Sequence, residues 1–264
     1  MKHLFAWLTL AGTLCCGLPA AADGTALGGG AIGGTVLSMV QAFGPPDLVE
    51  TSDAGHEWRW YDAKGLDRDV LVDDALAIKE ILVARPAPVN GKLSALVQPT
   101  ELPLLDAPLG AASAALAARG ATELQEANRA VRAWKLDGGV VVAERSSAGT
   151  VERLLVLDVA DAQRRGYLAG GPIVPAYRAP RFKHIASVGY PRRAVDEGAH
   201  GVVIVRVDVD PQGNASRVAV LVSSGNMDLD NAEIESMKES TFMPALCAGR
   251  PCAAALMDRE EFIP

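Results

Sequence analysis

Few side chains in this sequence are spaced for covalent or metal chemistry. Cys247 and Cys252 are separated by Ala248-Gly249-Arg250-Pro251. In an exported chain two thiols so placed are expected to pair across a turn. The spacing is not Cys-x-x-Cys, so a structural staple is expected rather than a redox couple. Asp208-Val209-Asp210-Pro211-Gln212-Gly213 begins like a calcium loop, but Ala219 stands where the last carboxylate ligand belongs. Gly28-Gly29-Gly30-Ala31-Ile32-Gly33 matches the dinucleotide fingerprint, yet no strand precedes it, so a flexible leader is expected. His56, His184 and His200 are isolated from one another. No Gly-x-Ser-x-Gly, P-loop or His-Glu-x-x-His pattern is present. These observations predict no enzyme, no cofactor and no metal site. What remains is the pattern of strands and helices that the sequence spells out.

The most regular of these elements lie between residues 190 and 263. Tyr190-Pro191 opens a short helix that Gly198 closes, with proline just inside the start and glycine just past the end. Val203, Val205, Val207 and Val209 alternate with Val202, Ile204, Arg206 and Asp208, a period-two strand rich in β-branched residues. Asp210-Pro211-Gln212-Gly213-Asn214 is a turn, and Val218, Val220 and Val222 mark the second strand of a hairpin. Ser223-Ser224-Gly225 breaks the sheet. Asp228 or Asp230 is placed to cap the next helix, with Leu229, Ala232 and Met237 near one face and Glu233, Glu235 and Lys238 left for solvent. Phe242-Met243-Pro244-Ala245 ends that helix and leads into an extended run near 253–263.

Tyr-Pro-x-x-Ala, then Gly-x-Val-x-Val running into Val-Asp-x-x-Gly, then Val-x-x-Ser-Ser-Gly, Leu-Asp-x-Ala and Phe-x-Pro-Ala together resemble the TonB C-terminal domain over about 70 residues. The family often carries Trp two residues before the Phe, where this chain has Ser240, and Val195 stands where TonB itself has Gln. The resemblance implies an α+β fold in which two short helices pack on a three-stranded antiparallel sheet. It also implies a domain that grips an extended segment of an outer-membrane receptor. Strand addition is the physical route, because an exposed sheet edge offers its N–H and C=O groups to a partner strand. The last strand is expected to have no later segment over its outer side. The expected partner-binding residues are therefore Tyr190, Arg192 and Arg193 at the entrance to the domain, and Ala253, Ala254, Ala255, Leu256 and Met257 along that edge. A second copy of the chain can pair through the same strand. Asp258, Arg259, Glu260 and Glu261 are expected to guard it against uncontrolled pairing.

The rest of the chain reads as delivery and spacing. The net charge of −7 offers no overall basic field for nucleic acid. Arg178, Arg181, Lys183, Arg192 and Arg193 form a local basic stretch, either a solvated face or a docking patch. Residues 1–22 read as a signal peptide cleaved after Ala20-Ala21-Ala22, which places the mature chain in the periplasm with only indirect membrane contact. The alternative is an uncleaved inner-membrane anchor of the kind an energy transducer needs. Residues 23–33 form the leader. Gly34 to Arg85 and 109–158 then read as two copies of one αβββ unit, joined by a Pro-rich linker over 86–108. Gly34 and Gly44 correspond to Gly110 and Gly120, Trp60 to Trp134, and Ile78-Lys79-Glu80-Ile81-Leu82-Val83 to Val151-Glu152-Arg153-Leu154-Leu155-Val156. These units are similar to the small domain of SmpA/BamE-type outer-membrane lipoproteins, and they are expected to pack together or share one sheet. Residues 159–182 are a linker and 183–264 the TonB-like domain. Two roles follow. One is a periplasmic binding protein associated with TonB-dependent transport. The other is a non-transducing structural or assembly factor of the envelope.

Overall fold

The computed structural model describes residues 26–27, 29–63, 65–85, 104–124, 131–165, 167–168 and 177–263. The expected signal segment and most of the Pro-rich linker lie outside them. The fold is α+β, and every strand pairing in it is antiparallel.

The first part of the chain carries β1 (Ala26–Leu27), β2 (Gly30–Ala31), α1 (Leu37–Phe43), β3 (Leu48–Ser52), β4 (Gly55–Ala63), β5 (Leu66–Val72) and β6 (Ile78–Ala84). The second carries α2 (Leu109–Ala117), β7 (Thr122–Glu123), β8 (Val131–Leu136), β9 (Gly139–Arg145), β10 (Val151–Leu157) and α3 (Val159–Arg164). Each of α1 and α2 is followed by four strands rather than the three expected. β3 follows Pro45-Pro46 and alternates weakly, and β7 is two residues long, so neither shows a clear period of two. The leader is not free along its whole length either. Gly30 lies so close to α1 that a Cβ there would meet Met39 Sδ at 2.9 Å.

β3 to β10 form one eight-stranded sheet in the order β3-β4-β5-β6-β10-β9-β8-β7, the same in both directions if the two halves are interchanged. At its centre β6 pairs with β10, and Leu82 opposes Leu155. Trp58, Trp60 and Trp134 are buried on one face, under α1 and α2. Trp60 Nε1 donates to the Gly44 carbonyl at 2.9 Å, tying the tryptophan strand to the helix end. Val140, Val142, Leu155 and Leu157 face the other way and are covered by Ala162 of α3. That helix, capped by Asp158, lies where only a linker was expected.

The remaining elements are β11 (Tyr177–Arg178), β12 (Arg181–His184), α4 (Arg192–Asp196), β13 (Gly201–Val209), β14 (Ala215–Val222), α5 (Met227–Glu239), β15 (Thr241–Met243), β16 (Ala245–Cys247), β17 (Arg250–Cys252) and β18 (Ala254–Phe262). β13 lies between β14 and β18. One face of this sheet presents Val203, Val205, Val207, Val209, Leu256 and Phe262 to Ala194 of α4 and to Leu229 and Met237 of α5. The α5 cap is Asn226, whose side chain accepts from the amides of Asp228 and Leu229. Asp230, an expected cap, instead accepts from Ser223 and Ser224. Asp210 accepts from the amides of Gln212 and Asn214, both at 2.9 Å, so its carboxylate is spent on closing its own turn. Gly213 there has φ +85°, and an added Cβ would sit 2.2 Å from the Phe242 carbonyl oxygen. The opposite face of the sheet contributes Ile204 and Met257 to the tryptophan core of the eight-stranded sheet. The two parts of the molecule thus share one core.

Candidate partner-binding edge

β18 is an edge strand by topology, paired along nine residues with β13 from Gly201↔Phe262 to Val209↔Ala254. Pairing on one side leaves alternate residues with backbone N–H groups turned outward. Ala255 and Met257 are two of these. Neither amide is open to solvent. Met257 N–H donates to Thr51 Oγ1 of β3 at 2.9 Å, and the Asp74 carboxylate of the β5–β6 turn stands beside Ala255. Two residues further on, Arg259 Nε donates to the Pro46 carbonyl at 2.8 Å.

His56 joins the two caps. Its Nδ1 lies 3.0 Å from Thr51 Oγ1 and its Nε2 lies 2.9 Å from Asp74 Oδ1. One proton arrangement satisfies every group: Thr51 Oγ1 accepts from Met257 and donates to Nδ1, while Nε2–H donates to Asp74. The hydrogen bond from His56 holds the Asp74 carboxyl below the usual carboxylate range. Burial opposes this, and the charge of Arg206 reinforces it. Hydroxyl, imidazole and carboxylate here follow the order of a hydrolase triad. The resemblance ends there, because the Thr51 oxygen is already engaged by the Met257 amide and the His56 ring is only 2% exposed. The constellation is a clamp.

The expectation of an uncovered terminal strand is therefore corrected. Ala255, Leu256 and Met257 are each no more than 3% exposed. Leu256 points into the α5 side, and Met257 lies under the eight-stranded sheet with Ile204. Ala253 is exposed and Ala254 half-buried, just before the covered stretch. The cover is thin. An open cavity of about 470 Å³ bordered by Ala54, Asp73, Tyr177 and Ala253 lies against the seam. A second, of about 660 Å³, is bordered by Glu50, Arg181, Phe182 and Leu256.

The other expected contact residues fall elsewhere. Tyr190 is structural: its hydroxyl donates to the Ala199 carbonyl and its ring meets Phe262 edge-on at 5.4 Å. Arg192 and Arg193 are exposed at the start of α4, and Arg193 pairs with Glu197 at 3.0 Å and Asp228 at 3.6 Å. Ser240, standing where the family often has Trp, is buried. Its hydroxyl accepts from Ala186 N–H and donates to the Ser236 carbonyl. Cys247 and Cys252 form a disulfide across the turn between β16 and β17, with Cα atoms 5.9 Å apart.

Charge is unusual behind the edge. Glu233, expected at the surface, is fully buried on α5, and neither of its oxygens meets hydrogen-bond geometry. Asp258 and Glu260 of β18 alternate with Met257, so they turn toward Glu233 rather than guarding the edge. Burial, then the charges of Asp258 and Glu260, push the Glu233 carboxyl up to about 8. Burial also raises Asp258, an effect that its interaction with Glu233 opposes. Burial and the Asp258 charge raise Glu260, with Arg259 opposing.

Known proteins match this part of the chain. The family described as Gram-negative bacterial TonB protein C-terminal covers residues 186–259. Protein TonB of Vibrio cholerae serotype O1 is 38% identical over 64 residues, 24% of this chain and 26% of that protein. Protein TonB of Xanthomonas campestris pv. campestris is 39% identical over 64 residues, 24% of this chain and 29% of that protein. The match thus spans about a quarter of those relatives. A solved extracellular protein containing a SCP domain from Bacillus anthracis str. Ames aligns at TM-score 0.37 and 13% identity, over 55% of this chain and 50% of that one, which carries no argument. Residues 186–259 are a C-terminal domain of the TonB family.

Proposed function

We propose that this chain is a periplasmic TonB-family protein that binds an extended segment of an outer-membrane receptor or another envelope protein by strand addition, in association with TonB-dependent transport. The observation that carries this reading is the β18 edge, whose outward Met257 amide is met by the Thr51 side chain rather than by another strand. A partner strand offers carbonyls at the same spacing. Among the described residues no helix is long and apolar enough to cross a membrane. The test is calorimetric titration of the mature chain with a synthetic peptide from the plug segment of a receptor of the same cell. Saturable binding supports the reading, and no heat at millimolar peptide refutes it. Intact-mass analysis of the exported protein tests the placement, with a mature chain starting at Asp23 expected.

A second reading has its own observation. The edge is covered by the chain's own sheet, as suits a structural or assembly factor of the envelope in which the TonB-type domain is a fixed building block. Under that reading the eight-stranded sheet holds the partner and the peptide leaves β18 undisturbed.

A further inference from the structure

We propose that the eight-stranded sheet is a built-in mask of the β18 edge, and that a partner strand and this mask compete for the same amides. The purpose of the mask rests on the strand-addition reading; its existence does not.

Four observations carry the inference. First, Thr51 places its side-chain oxygen on the N–H of Met257 at 2.9 Å, and the Asp74 carboxylate, held by His56, stands beside Ala255. Residues two apart in a strand turn their N–H groups outward about 6.8 Å apart. The mask therefore puts an acceptor on Met257 where a carbonyl of an incoming strand would stand, and a carboxylate beside the next outward amide. Second, the caps are coupled. His56 bonds both Thr51 and Asp74, so losing one cap strips a partner from the imidazole that steadies the other. Third, the two parts meet through side chains. β18 and β3 do not join their sheets in a backbone ladder, and open cavities border the seam. A contact of that kind opens more readily than a paired ladder. Fourth, the masking groups lie on a different part of the chain from the β13–β18 ladder and from α5, which hold the TonB-type domain together. Release of the mask uncovers Met257 and Ile204 and leaves that domain's own core in place.

Competition has a thermodynamic consequence. A bound strand must displace the mask, so the apparent affinity of the intact chain is lower than that of the bare edge by the fraction of molecules already open. Weakening the clamp should tighten peptide binding even though no new contact to the peptide is made.

The experiment uses the full mature chain and two variants. Asp74→Ala removes the carboxylate from a turn in which the Asp74 side chain is 58% exposed. Thr51→Val removes the other acceptor without changing the side chain's shape. Amide hydrogen exchange follows Met257, and calorimetry follows a plug-segment peptide. In the parent, Met257 should exchange through an opening that leaves the amides of β13 protected. Asp74→Ala should speed Met257 exchange about tenfold, although Met257 does not bond Asp74, and peptide affinity should rise by a similar factor. Thr51→Val should do the same to affinity. Equal peptide affinity in parent and both variants would overturn the mask while leaving strand addition intact. Met257 exchange that occurs only with global unfolding would overturn it too, because the cover would then be permanent. Faster exchange in both variants with no peptide binding to any form would support the mask and refute the strand-addition reading.

Discussion

Replacing Glu233 by glutamine should make the protein more stable at alkaline pH and flatten the pH dependence of its stability. The buried carboxyl holds its proton up to about pH 8, against an ordinary value of 4.5 in the unfolded chain. Between those limits the folded chain binds one more proton than the unfolded chain. Stability is therefore full below pH 4.5 and is lost as pH rises toward 8. The interval of 3.5 in pH, at ~1.4 kcal/mol for each unit, sets an upper bound of about 5 kcal/mol. Sharing of the proton with Asp258 lowers this, so about 3 kcal/mol is the working expectation. Asp258 and Glu260 are raised for the same reason and act with the same sign. Glutamine keeps the shape and stays neutral at every pH. Urea midpoints measured from pH 5 to pH 9 should fall with pH in the parent and change less in Glu233→Gln, the curves parting most above pH 8. Parallel curves, or a parent that gains stability between pH 5 and 8, would show that this carboxyl is not held protonated.

Three further outcomes follow from the geometry. Cys252→Ala opens a loop closed by residues only five apart, so it should cost only about 1–3 kcal/mol and leave the fold intact by circular dichroism. Gly213→Ala places a methyl group against the Phe242 carbonyl at positive φ and should destabilise by at least ~2 kcal/mol in thermal melts. Trp60→Phe loses the hydrogen bond to Gly44 as well as ring volume, and should cost about 2–3 kcal/mol.

The local elements of the C-terminal domain were legible because its strands announce themselves. Val203 to Val209 alternate, Asp210 to Asn214 close a turn, and the motifs recur at family spacing. Leu82 and Leu155, matched in the sequence as corresponding positions, oppose each other at the sheet centre. What the sequence concealed was contact over distance. Thr51 and Met257 are 206 positions apart, and a threonine at the end of a weakly alternating strand carries no mark of what it will cap. His56 looked isolated because its partners are the turn at Asp74 and the neighbouring strand, not another histidine. Glu233 was misplaced because helical spacing alone puts a glutamate on the polar side. The family-typical Trp at position 240 is a serine here, and Ser236 and Ser240 both bond residue 186 beside it. The short β3 and β7 were missed because two to five residues do not establish a period.

The central claim is that the β18 edge is a strand-addition site held closed by Thr51, His56 and Asp74. Backbone amide resonances of the intact chain, followed while a receptor plug-segment peptide is added, test it most directly. The account predicts that Ala255 and Met257 shift with saturation, and that Thr51, His56 and Asp74 shift along the same binding curve as the mask is displaced. Saturable binding that moves other residues while Ala255, Met257 and Thr51 keep their positions would contradict it.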